Sequence, residues 1–182
     1  MLTDLSKYAI NNCRSLFTNK ENSVRHLLTD KAPEPGFYSQ AVSVNVGEHT
    51  LVFLAGQTGN VPGIKDEPVI EGGLGPQTTQ TLKNIVAVVE AAGGNINHIV
   101  ELKIFLKDSE ETGRAQQEAR AAARLTFGFS YKEFFTKHGL SREAKNLPAR
   151  TMVWVSEVPL EYPAEDTLVE ITAIAAIPKG KG

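Results

Sequence analysis

Leu147-Pro148-Ala149-Arg150-Thr151-Met152-Val153-Trp154-Val155 sets one arginine directly behind a proline turn and directly ahead of an alternating run. Proline fixes its own φ and has no N–H to donate to a ladder, so a strand is predicted to begin after Pro148. Thr151, Val153 and Val155 then point to one face and Met152, Trp154 and Ser156 to the other, the period of two of a β-strand. Arg150 therefore stands at a strand mouth. A guanidinium held by rigid backbone matches the two oxygens of a carboxylate bidentately. The plainer alternative is a surface cation, or a structural partner for an acid.

Downstream, the segment 159–166 is an acidic loop with two prolines, and Leu168 to Ile177 is a strand that is apolar except for Glu170 and Thr172. Glu170 shares a face with Leu168 and Ile174. An acid inside such a strand is desolvated, so it needs either a partner or a raised pKa, and both conditions recur at active sites. Arg150 is one candidate for that partner across the sheet.

Upstream, Asp108 and Glu111 have capping-box spacing, and the Ala- and Arg-rich run from Arg114 to Leu125 favours helix. Gly128 interrupts that pattern, after which Tyr131, Phe134 and Phe135 form the apolar face of a continuing or restarted helix that ends near His138-Gly139. Glu101 to Leu106 alternates as a strand. From Thr78 to Ala92, Leu82, Ile85, Val86 and Val89 recur at helical spacing, and Gly93-Gly94 offers a left-handed stop. Val42, Val44 and Val46, the Gly47-Glu48 turn and the continuous run Leu51 to Ala55 make a hairpin, whose second strand is expected to be covered on both faces. Ala32-Pro33-Glu34-Pro35-Gly36 reads as an extended linker. Before it, Leu2, Leu5, Tyr8, Ala9, Leu16 and Phe17 suit a short amphipathic helix.

With 182 residues, 41% hydrophobic and 22% charged, the composition is that of one ordinary globular domain. A net charge of −2 and the lack of basic runs interleaved with aromatics argue against nucleic acid or an anionic membrane as partner. The single cysteine, Cys13, excludes an internal disulfide framework and fits a reducing compartment. His26, His49, His98 and His138 have no metal-ligand spacing, so no metal is expected. No secretory signal, import signal or membrane span is read, and the expected location is the cytoplasm. There is no nucleophile elbow, phosphate-binding loop or dinucleotide fingerprint. What remains is an arginine, a carboxylate and Tyr38 in a loop before the hairpin. Such a set suits a small carboxylate-bearing substrate whose hydrolysis needs one placed water and a proton shuttle.

Gly36-Phe37-Tyr38-Ser39-Gln40-Ala41, Phe53-Leu54-Ala55-Gly56-Gln57, Gln80-Thr81-Leu82-Lys83-Asn84-Ile85, Val89-Glu90-Ala91-Ala92-Gly93, Phe105-Leu106-Lys107-Asp108, Pro148-Ala149-Arg150 and Val169-Glu170-Ile171-Thr172-Ala173-Ile174-Ala175 run in an order that resembles the RidA/YjgF family, also called the liver perchloric-acid-soluble protein family. The resemblance spans roughly residues 34 to 178. It implies a chorismate-mutase-like α+β fold, a mixed sheet with two helices packed on one face, assembled as a homotrimeric barrel with clefts between subunits. It also implies hydrolysis of enamine and imine acids such as 2-aminoacrylate and 2-iminopropanoate to a 2-oxo acid and ammonia, without a cofactor. By position, Arg150 would bind the substrate carboxylate, Glu170 would orient the water or relay its proton, and Tyr38 would close the cleft from a neighbouring subunit. Ala55, Gly56, Met152 and Phe129 would line the pocket.

Several features depart from the family pattern. Ala55 stands where these deaminases usually carry a small hydroxyl residue, and Met152 where many carry cysteine. Gly128 falls near a common pocket asparagine, the second helix is lengthened around residues 112–127, and residues 1–33 form an extension to the domain at 34–182. Phe127, Phe129 and Tyr131 are then either an aromatic lid over a larger substrate or core packing for the longer helix. A trimeric module that binds a carboxylate without turning it over is the alternative to an enzyme.

Overall fold

The structure, a computed structural model, describes residues 24–64, 68–158 and 167–180. The helix expected near the N-terminus and the acidic loop at 159–166 lie outside the described residues. The chain forms β1 (Val24–Leu27), β2 (Ala41–Val46), β3 (His49–Leu54), α1 (Leu74–Ala91), β4 (Ile99–Lys107), α2 (Gly113–Lys137), β5 (Ala149–Val155) and β6 (Val169–Pro178), with a 3₁₀ turn at Ile96–His98. The strands make one sheet in the order β1-β2-β3-β6-β4-β5, antiparallel except for the β4–β5 pair. The last strand of the sequence thus lies between β3 and β4, which the α1 crossover connects.

One face of the sheet carries the core. Val52 and Leu54 of β3, Leu102, Ile104 and Leu106 of β4, and Val169, Ile171, Ala173, Ala175 and Ile177 of β6 are buried there. Against them pack Leu82, Ile85, Val88 and Val89 of α1 and Phe127, Tyr131, Phe134 and Phe135 of α2. The helical spacing of the apolar residues turns both stripes toward the sheet. α1 ends as expected, with Gly93 at φ 89°, a left-handed position that glycine takes without a Cβ penalty.

Among the described residues no helix packs on the opposite face of the sheet. Phe53 and Val153 are exposed there and Leu51 and Ile174 only partly covered. The expectation that β3 is covered on both faces is therefore met on one face among the described residues.

Two local readings are corrected and one open choice is decided. Val24–Leu27 pairs with β2, so the sheet takes in residues that the sequence assigned to the extension. Asp108 does not cap α2, because its carboxylate accepts from the Ser109 N–H and from Arg120, and the N-cap position is Thr112. At Gly128 the helix continues rather than restarts, and α2 runs unbroken for 25 residues to its cap at His138. An added Cβ at Gly128 would meet no other atom within 4 Å. Gly128→Ala is accordingly expected to stabilise the fold by about 0.5–1 kcal/mol, the helix-propensity difference between the two residues, read by urea unfolding.

Candidate functional site

Glu170 sits one residue into β6, opposite Phe105 of β4, and so on the face of the sheet away from the helices. Gln57 and Ile171 exchange both backbone N–H···O bonds at 2.9 Å, which brings the turn after β3 alongside the start of β6. That brings Gly56 against Glu170: a Cβ built on Gly56 would lie 1.7 Å from Glu170 Oε1. Glu170 makes no hydrogen bond or ion pair with any described residue, and partial burial pushes its carboxyl pKa up.

The loop is fixed from beneath, since the buried Asn84 of α1 donates to Thr58 O at 3.0 Å and to Asn60 O at 2.8 Å. Ala55 N–H donates to Gln40 O at 2.9 Å, and the Gln40 amide donates to Thr29 O, Ala32 O and Pro33 O, which ties down the segment leading to Tyr38. Tyr38 is half-exposed, at the same end of the sheet as Gly56. Gln40 and Asn84 brace the backbone around the site; both lie in segments that carry the family resemblance, but residue type alone did not show what they hold.

Because the added methyl at Gly56 would meet the end of a flexible side chain, the fold is expected to survive Gly56→Ala while the carboxylate is displaced. Activity should fall by about 10²-fold, the lower range for losing a placed acid–base group, with an unchanged circular dichroism spectrum.

Arg150 is the second residue of β5, opposite Leu102 of β4, and so points to the helix side. Met152 and Trp154 follow on that side, partly buried. The Arg150 Cζ lies 4.8 Å from the centroid of the Tyr131 ring and 5.7 Å from that of Phe127. Phe127 and Tyr131 are core residues, not a lid. Phe129, two residues from each along the helix, is 80% exposed and is not brought to Arg150. Further along the same strand face, Arg120 lies over Trp154 at 5.8 Å and is paired with Asp108, its Nε donating to Oδ1 at 2.9 Å and its Nη2 to Oδ2.

Arg150 and Glu170 are thus on opposite faces of the sheet. With β4 between their strands and a register offset of three residues, their Cα atoms are about 14 Å apart, from strand spacing and rise. Within one chain Arg150 is not the partner of Glu170. Gly56, next to Ala55, lies against Glu170, with Tyr38 at the same end of the sheet, and Arg150 and Met152 stand apart on the helix side.

A mixed sheet with two helices on one face, carrying a carboxylate on one side and an arginine on the other, defines an α+β protein with two separate polar centres. Residues 29–177 match the family described as endoribonuclease L-PSP. A RutC family protein of Pyrococcus horikoshii is 32% identical over 82% of this chain and 94% of its own. The 2-iminobutanoate/2-iminopropanoate deaminase of Salmonella typhimurium is 29% identical over the same shares. The crystal structure of the YjgF gene product of E. coli superposes with a TM-score of 0.61 at 31% identity, covering 83% of this chain and 97% of that one. The chain belongs to the RidA/YjgF family.

No helix among the described residues is long and apolar enough to cross a membrane.

Proposed function

We propose that the protein hydrolyses small enamine and imine acids of the 2-aminoacrylate/2-iminopropanoate kind to a 2-oxo acid and ammonia. The catalytic clefts would lie between copies of the chain in a homotrimer. The observation that carries this reading is a half-buried carboxylate and an arginine, neither paired with an opposite charge among the described residues, on opposite faces of one sheet. The sheet keeps the two apart. The face of the sheet away from the helices, with Phe53 and Val153 exposed, supports burial against further copies.

In such a cleft the Arg150 fork takes the substrate carboxylate. Glu170 accepts a proton from water as the oxygen attacks the imine carbon. It passes that proton to nitrogen, giving the carbinolamine, then takes the hydroxyl proton and delivers it to nitrogen as the C=O forms, the C–N bond breaks and ammonia leaves. Tyr38 covers the cleft from the side of the carboxylate group. The name of the Salmonella relative supports this chemistry.

The test is release of ammonia and 2-oxo acid from 2-aminoacrylate, made in situ by a dehydratase acting on serine, over the first seconds. Acceleration above a no-protein control is the expected result, and no acceleration by a folded protein refutes it. A larger substrate is a second reading, favoured by the 25-residue length of α2, and it predicts poor turnover of three-carbon acids. A carboxylate-binding module without turnover is a third, favoured by the apolar Ala55 and Met152, and it predicts that 2-oxobutanoate binds with no ammonia release.

A further inference from the structure

Two arginines lie along the helix side of β5, and their surroundings differ in one respect. The fork of Arg120 is closed by Asp108, so its donors and its charge are satisfied inside the chain. Arg150 has no carboxylate or hydrogen-bond partner among the described residues. It rests instead on the rings of Tyr131 and Phe127.

Those rings belong to a row at i, i+4 spacing on the buried side of α2. Phe127 and Tyr131 have centroids 5.8 Å apart, and Tyr131 and Phe135 4.6 Å apart. All are buried, Tyr131 to within 7% exposure, so the row cannot rotate without opening the core. An acid in this place would hold the guanidinium by its N–H edge and neutralise it. An aromatic face attracts the cation through the ring quadrupole and leaves every N–H free to meet a ligand.

We infer that Phe127 and Tyr131 are positioning residues: their ring faces set the plane of the Arg150 guanidinium and leave its donor edge for a substrate carboxylate. The inference rests on the reading of Arg150 as a carboxylate clamp and explains how a clamp on an edge strand is kept rigid and charged. The positive charge of Arg150 also works against the rise that burial imposes on the Tyr131 hydroxyl pKa, as close approach of the two requires.

The experiment measures binding of 2-oxobutanoate to the full chain by calorimetry. Tyr131→Phe should stay within about twofold of wild type, because it keeps the face. Phenylalanines carrying one, two and three ring fluorines at position 131 keep the shape and withdraw the quadrupole. They should raise Kd step by step, reaching about 3- to 30-fold, with an unchanged unfolding midpoint. Phe127→Leu should raise Kd in the same direction by a smaller factor, matching its longer distance. A flat fluorine series, or one in which Kd moves only with the unfolding midpoint, overturns the positioning role. If wild type binds and Arg150→Ala does not, that failure leaves the clamp intact. If 2-oxobutanoate does not bind wild type, or binds Arg150→Ala equally well, the clamp falls and the shelf with it.

Discussion

Arg150→Ala is expected to reduce kcat/KM for 2-aminoacrylate by a hundredfold or more, since it removes charge-assisted hydrogen bonds of about 1.5–3 kcal/mol each. Stability should change little. The side chain is exposed, and what it loses inside the chain is its contact with the Tyr131 and Phe127 rings, about 0.5–1 kcal/mol at an exposed position. Arg150→Lys should restore little of the activity, because an ammonium is a point charge without the planar fork. Steady-state kinetics alongside urea unfolding separates the two effects. A variant that unfolds in step with its loss of activity would make Arg150 a fastener between β5 and α2.

Glu170→Gln is expected to lower kcat by about 10²- to 10⁴-fold, the usual contribution of a placed acid–base group, and to change the pH dependence of what remains. Burial holds the Glu170 carboxyl above its ordinary value. In wild type the rate should therefore fall as pH drops through that raised pKa, where the base becomes protonated. The acid limb should be missing in Glu170→Gln.

The linkage to stability has a definite sign. With the folded pKa above the unfolded one, the native chain binds the proton more tightly, so the contribution of Glu170 is fully present below the ordinary carboxylate pKa and is lost as pH rises through the raised one. Glu170→Gln should therefore be more stable than wild type at neutral pH, the gap closing in acid. Unfolding midpoints measured across that range check it, and a gap that widens in acid would show Glu170 stabilised as a carboxylate in the assembly.

The strands and α1 could be read from the sequence because each carries a complete local pattern. The alternation after Pro148, the hairpin around Gly47 and the helical spacing up to Gly93 depend on nothing distant. β1 was not legible, since four residues with Arg25 and His26 among them have neither the length nor the alternation of a strand and are ordered by pairing with β2. Gly128 left a continuing or a restarted helix open because helix propensity is a weak prior, and the ring row at 127, 131 and 135 packs strongly enough to carry the helix through it.

The candidate residues Arg150, Glu170 and Tyr38 were all nameable from residue type and the family resemblance. The relation between the first two was not. Which face a side chain takes relative to another depends on strand order and register, and β6 inserting between β3 and β4 is a fact of the tertiary fold. Phe129 likewise looked like its neighbours in sequence, and only the helical phase turned it outward.

The placement of the two polar centres on opposite sides of one sheet has a genetic consequence. If each cleft draws its arginine from one chain and its glutamate from the next, two alleles that are each silent, one carrying Arg150→Ala and one Glu170→Gln, should complement when expressed together. Random mixing in a cyclic assembly gives about a quarter of the clefts both intact groups. A heterozygote would then be active where either parent is not.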